Sequence, residues 1–267
     1  MTRIPKIIHQ MAPKNKKLWH PYWEKCHNTW KEHFPESEYQ HVFWDDAKID
    51  EFIENEFPDY ITYYYSLPFH IMQLDFARYC IIYKYGGIYV DMDYYCLKNF
   101  YSELNKNIFF VESSYPKEII QNSLFGSVKN NKHILNIINE SKKIYYYYEI
   151  INDSYDKNFN DYVLTLSGPI LISNYYKNLS DKNKKYLQVL EKDKFNPNIV
   201  IGNIEDINGG NYNCFHVLTG SWGKDMRKLR MQEASLDNVN YNELLKTRYK
   251  NLRPLAYEKF NDFLSSV

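Results

Sequence analysis

The chain has 267 residues, enough for one large domain with a substantial core. Lys plus Arg and Asp plus Glu each number 33, so the formal charge is zero and nothing global favours a nucleic acid or an anionic membrane as partner. No apolar run reaches the roughly 18–20 residues of a membrane helix, and the first residues lack a signal peptide's apolar core.

In chain order, Ile4 to His9 reads as a first core strand, followed by Gln10-Met11-Ala12-Pro13. Ligands of open α/β sheets bind beyond the carboxyl ends of strands, which marks His9 and Gln10 as candidate contacts. A helix over Pro21–His33 has Pro at its start and Pro35 beyond its end. Tyr39 to Trp44 is a second strand, and Asp45-Asp46 is read as the cap of a helix over about 46–56 rather than as a metal pair. Pro58 to Leu67 is an aromatic connection into a helix starting near Pro68. Ile71, Leu74, Ala77 and Ile81 give that helix a buried stripe, with Asp75 and Arg78 three apart on one face.

The stretch His70–Cys96 organises the rest. Gly86-Gly87 breaks the helix and admits a close backbone approach, and a short strand, Ile88-Tyr89-Val90, ends in Asp91-Met92-Asp93. Residues two apart on a strand share a face, so Asp91 and Asp93 are expected to project together, with Tyr89 on the same side. Two carboxylates held so close favour a hard divalent cation, which completes its shell with water and substrate phosphates.

Beyond it, Tyr94–Leu97 continues outward, Asn107–Glu112 returns as a strand, and Asn122–Ser127 forms another. A helix covers Asn131–Tyr148, and the polar stretch 149–161 is a surface loop. Ser167 is placed as N-cap and Pro169 as N1 of the next helix. Tyr186–Leu190 is a strand, 192–213 a loop-rich region, and helices over about 224–232 and 240–264 close the chain. Cys214 to Trp222 contains a second chemical landmark, His216 followed by Thr219-Gly220-Ser221-Trp222, and a neutral imidazole suits Mn²⁺ as ligand.

The run LDFARYCIIYKYGGIYVDMD resembles the signature of the DXD sugar transferases typified by fungal α-1,6-mannosyltransferases, distantly related to the glucosylating domains of large clostridial toxins. IPKIIHQ near the start and LTGSW near the end look like further landmarks of that family. The resemblance implies an α/β, GT-A-like nucleotide-sugar transferase fold over residues 1–267, with a mostly parallel central sheet and flanking and inserted helices. It implies Mn²⁺ or Mg²⁺ on Asp93, Asp91 and His216, and catalytic work for Asp91, Asp93, Arg78 and Asp75. The nucleotide-sugar would meet His9, Gln10, Asp75, Arg78, Tyr89, Asp91, Asn122, Ser221 and Trp222. The implied reaction is retaining transfer of a hexose from a UDP-sugar or GDP-mannose to a glycan, glycolipid or protein. An Asp-Xaa-Asp phosphatase and a non-catalytic sugar-binding protein are the competing readings.

The 27 Tyr, 15 Phe and 5 Trp suit a sugar cleft, yet abundant Lys, Asn and Ile beside them fit an AT-rich genome better. Cys26, Cys80, Cys96 and Cys214 lack disulfide or metal spacing, and free, mostly buried thiols are expected. Many relatives of the family carry an N-terminal anchor, whereas here the first landmark stands almost at residue 1. The expectation is a cytoplasmic protein, with peripheral access to membrane substrates.

Overall fold

The computed structural model describes residues 4–67, 69–114, 120–151, 159–197 and 211–219. Their centre is a six-stranded sheet of order β2-β1-β3-β6-β5-β7, built from β1 (Ile7–Met11), β2 (Gln40–Trp44), β3 (Gly87–Val90), β5 (Ile108–Glu112), β6 (Ile120–Ser127) and β7 (Gln188–Leu190). The pairs β1–β2, β1–β3 and β5–β7 are parallel, while β6 is antiparallel to both β3 and β5. One strand in six therefore runs against the rest, and the expected α/β fold with a mostly parallel sheet is what the chain forms.

Alternation along the strands splits the core into two layers. Ile8, Ile88, Val90, Phe109, Val111 and Leu124 pack with Trp30 of α1 (Pro21–His33) and Phe34 just after it on one face. Tyr89, Phe110 and Phe125 pack on the other, against α4 (His70–Tyr85) and α5 (Lys132–Ile151). Every residue of α4 from Ile71 to Ile82 is buried. The expected apolar stripe is thus a helix enclosed on all sides, as an α-helix without a polar face should be. A second, two-stranded sheet pairs β4 (Tyr94–Cys96) with β8 (Cys214–His216) in antiparallel register. Trp30 Nε1 donates to Tyr94 O at 2.8 Å and Thr29 Oγ1 accepts from Cys96 N at 3.0 Å, fixing this small sheet to α1.

Several boundaries differ from expectation. The first strand begins at Ile7 rather than Ile4, because Pro5 has no N–H to give the ladder; Ile4 is buried all the same. The aromatic connection contains α3 (Ile61–Ser66), between α2 (Asp46–Glu56) and α4. Asp45 caps α2 by accepting from Lys48 N at 3.0 Å, as its capping role requires. The expected loop over 149–161 is helical at both ends, in α5 and in α6 (Phe159–Leu166). The cap of α7 (Pro169–Lys177) is Gly168 rather than Ser167, whose hydroxyl is drawn inward to Asp75. Two short helices, α8 (Asp181–Lys184) and α9 (Lys192–Phe195), flank β7. The helices expected from about 224 lie outside the described residues, as do Ser221 and Trp222. Among the described residues no helix is long and apolar enough to cross a membrane.

Candidate active site

The site lies where β3 leaves the sheet. Gly86 and Gly87 have φ of +68° and +99°, conformations that favour glycine, and a Cβ on Gly87 would stand 2.6 Å from Ile7 O. His9, inside β1, locks this turn: its Nε2–H donates to Gly86 O at 2.9 Å while Nδ1 accepts from Trp44 Nε1 at 3.1 Å. Both ring nitrogens are thereby used, and burial lowers the imidazole pKa to about 4. The structure thus gives His9 a turn-holding task and leaves it no polar atom for a base or ribose. Gln10 points elsewhere: its Oε1 accepts from His27 Nδ1 at 2.6 Å, while its buried Nε2 has no hydrogen-bond partner.

Asp91 and Asp93 do converge, but in a turn rather than along a strand. β3 ends at Val90, and Tyr94 N donates to Asp91 O at 3.1 Å to close the turn into β4. Because β8 pairs with β4, Tyr94 sits opposite His216 and the two rings stack at 4.9 Å. His216 Nε2 then reaches Asp93 Oδ1 at 3.0 Å. The other oxygen of Asp93 accepts from Thr219 N at 3.0 Å and Thr219 Oγ1 at 2.9 Å, and Trp23 Nε1 in α1 donates to that hydroxyl at 3.2 Å. Burial opposes ionisation of Asp93, yet His216 and the Thr219 donors hold it well below the usual carboxylate range. His216 moves the opposite way: burial disfavours its charge, but Asp93 raises its pKa.

Behind the turn lies a buried polar cluster from α4. Arg78 approaches Asp75 Oδ1 at 3.2 Å and Asp91 Oδ1 at 3.5 Å, donates to Asn122 O at 3.0 Å, and stacks 4.7 Å above the Tyr89 ring. Tyr89 in turn donates to Asp91 Oδ1 at 2.6 Å. Asp75 also accepts from Asn122 Nδ2 at 2.8 Å and from Ser167 Oγ at 2.9 Å. Burial raises the pKa of both Asp75 and Asp91, partly offset by Arg78. Arg78 stays charged because Asp91, Tyr89 and Asp75 outweigh its own desolvation. The pairing of Asp75 with Arg78 is therefore part of a buried network, not an isolated surface ion pair.

The donor set suits one divalent ion. Asp91, Asp93 and His216 each offer a ligand atom, all within 4.8 Å of one another. An ion holding ligands at about 2.0–2.1 Å in octahedral array spaces neighbours about 3 Å and opposites about 4 Å apart. Three carboxylates against one guanidinium also leave local negative charge for a cation to offset. Of the residues predicted from sequence, the structure brings Asp75, Arg78, Tyr89, Asp91, Asp93, Asn122 and His216 into one cluster. It adds Thr219, Trp23 and Ser167. Thr219 stood within LTGSW, where its short hydroxyl beside a glycine was the available signal.

At a strand end of this α/β sheet, two carboxylates and an imidazole form a trio that could hold a metal ion. Residues 20–116 match the glycosyltransferase sugar-binding region containing the DXD motif, and the resemblance read from the sequence holds over that region. The chain is similar to inositol phosphoceramide mannosyltransferase 1 of Schizosaccharomyces pombe, with 32% identity over 43% of this chain and 36% of that protein. It is similar to mannosyl phosphorylinositol ceramide synthase CSH1 of Saccharomyces cerevisiae, with 30% identity over 65% of this chain and 43% of that one. It thus spans less than half the length of these curated relatives. Among solved structures, PaToxG Glycosyltransferase aligns with 94% of this chain and 87% of its own at 17% identity and a TM-score of 0.47.

Proposed function

We propose that the chain is a metal-dependent retaining glycosyltransferase that moves a hexose from a nucleotide-sugar to a glycan, glycolipid or protein acceptor. The observation that carries the reading is the meeting of Asp91, Asp93 and His216 within 4.8 Å, inside a segment that matches a DXD sugar-binding region. Asp91, Asp93 and His216 would hold Mn²⁺, for which two carboxylates and an imidazole are a fitting set, with Mg²⁺ as the alternative. When bound, the ion offsets the charge of the nucleoside diphosphate leaving group.

The protein's own groups do the rest. Arg78 is fixed by Asp75, Asp91 and Asn122, and its buried Nε carries a proton with no acceptor. Such a preorganised donor is suited to a phosphate oxygen. A carboxylate offers about four acceptor sites. On Asp75, Arg78 and Asn122 fill Oδ1 and Ser167 takes one site on Oδ2, leaving one for a donor-sugar hydroxyl. Tyr89, Ser221 and Trp222 complete the proposed donor contacts, with Gln10 Nε2 a further donor that has no protein partner. Both oxygens of Asp93 are held by protein groups, and Asp75 already accepts from Arg78, Asn122 and Ser167, which disfavours either as a nucleophile; a front-face displacement is the better match.

The names of the relatives make mannose and an inositol phosphoceramide lipid the first donor sugar and acceptor to test. All four cysteines are free and buried, and a reducing, cytoplasmic setting belongs to the proposal. The test is sugar release from a panel of UDP- and GDP-sugars with Mn²⁺, with Mg²⁺ and with chelator. Release of one sugar that needs the metal and is lost in Asp93→Asn supports the reading. Failure to release any donor, together with failure to bind UDP or GDP in Mn²⁺, overturns it.

A further inference from the structure

The small β4–β8 sheet brings together two thiols that the proposed chemistry does not use. Cys96, last in β4, pairs directly with Cys214, first in β8. Just beyond the two ends of this pairing, Leu97 N donates to Asn213 O at 2.9 Å and Val217 N donates to Asp93 O at 2.9 Å. Hydrogen-bonded pairs alternate along an antiparallel ladder, so Tyr95–Phe215 is one of them, and Cys96–Cys214 and Tyr94–His216 are not. Cys96 N accordingly donates away from β8, to Thr29 Oγ1 at 3.0 Å. Side chains approach most closely at such positions, where Cα atoms stand about 4.5 Å apart, and a disulfide spans about 4.4–6.8 Å between Cα atoms.

Both thiols are free and lie in the same buried cluster as Phe100 and Phe195. Each makes one weak bond, Cys96 to Lys98 O and Cys214 to Phe195 O, both at 3.5 Å. Losing the Cys214 thiol would not orphan its acceptor, because the Tyr94 hydroxyl donates to Phe195 O at 2.9 Å. The other two cysteines are placed differently. Cys26 packs with Phe215 and Tyr95, on the opposite face of the small sheet, and Cys80 is buried within α4 in the other core layer.

We propose that Cys96 and Cys214 are a redox-responsive pair whose disulfide clamps β8, and with it His216, to β4. The oxidant is a small-molecule disulfide such as oxidised glutathione. The sheet has only three residues a side, and its local opening lets one cysteine, as thiolate, attack that disulfide and release one thiol. Reclosure sets the second cysteine against the mixed disulfide; its attack forms the Cys96–Cys214 bond and releases the second thiol. The two protons and two electrons lost by the cysteines are those gained by the oxidant. In a reducing setting the pair stays open as two thiols, and a shift to oxidising conditions closes it.

The closed bond would join strands more than a hundred residues apart, a loop length at which a cross-link restrains the unfolded chain strongly. Asp93 immediately precedes β4 and His216 ends β8, so the bond opposes separation of the two sides of the metal trio. The pair and its clamp stand whether or not the transferase reading holds.

The test equilibrates the full chain, without denaturant, in buffers of rising oxidised-to-reduced glutathione ratio and maps linked peptides by mass spectrometry. Expected are a Cys96–Cys214 linkage, a thermal midpoint raised by about 5 °C or more, and amide exchange over 214–217 slowed about tenfold or more. Cys26→Ala/Cys80→Ala keeps all three responses, whereas Cys96→Ala loses them. No Cys96–Cys214 linkage in wild type at the most oxidising ratio, or linkage mainly to Cys26 or Cys80, overturns the proposal. So does a Cys96–Cys214 linkage that leaves either the midpoint or the exchange unchanged.

Discussion

Asp93 shows how much a single side chain is asked to do. Its Oδ1 faces His216 and its Oδ2 is held by two donors of Thr219, which Trp23 orients from another helix. The two aspartates, Arg78 and His216 could be read from the sequence because each is a residue type with its own chemistry beside a recognisable turn. For Thr219 the LTGSW run is only a weak signal, since its importance comes from a strand pairing that no local pattern encodes. Partners behind a metal ligand typically contribute about 10–100-fold to metal affinity. Thr219→Val is therefore expected to weaken Mn²⁺ binding by about that factor, with Thr219→Ser close to wild type, as read by calorimetry at unchanged thermal midpoint. Arg78 is a different case. Arg78→Met would leave Asp75 and Asp91 without their cation in a buried cluster, and urea unfolding should show a loss of about 3–5 kcal/mol. A loss below about 1 kcal/mol would show that the network is not coupled through the guanidinium.

At the scale of elements, the turn between α4 and β3 sets where the site can be. The paired glycines were legible as a break. What was not legible is that His9, from a strand some eighty residues earlier, closes the turn by holding Gly86 O. A strand ending at His9 would put His9 and Gln10 beside a ligand, but β1 runs on to Met11, which carries His9 into the sheet. The sharing of a side by Asp91 and Asp93 was expected from strand alternation and arises from a turn instead. Gly87→Ala meets both a φ of +99° and a Cβ 2.6 Å from Ile7 O. Its expected cost is about 3 kcal/mol or more, read as a shifted urea midpoint, whereas near-wild-type stability would mean that β1 and β3 can separate without penalty.

For the molecule as a whole, early strand–helix alternation makes the α/β class and a mostly parallel sheet legible, whereas the insertion of antiparallel β6 between β3 and β5 has no local signal. The β4–β8 sheet was not, because its short strands lie more than a hundred residues apart and carry no turn signal. Stability should depend on acid. His9 is neutral in the fold with a pKa lowered from 6.5 to about 4 by burial, so the unfolded chain binds more protons between these values. Its contribution is complete above about pH 6.5 and is lost as pH falls toward 4, a change of roughly 3 kcal/mol. Urea midpoints at pH 7 and pH 5 should reveal it, and His9→Gln should be less stable at pH 7 but less sensitive to acid. We expect Asp91, Asp93 and His216 to hold one divalent ion. Calorimetric titration of Mn²⁺ into wild type, Asp93→Asn and His216→Ala in the presence of UDP or GDP tests it most directly. One ion per chain is expected in wild type, with binding lost or severely weakened in both variants; wild-type binding retained in both would place the ion elsewhere and contradict this.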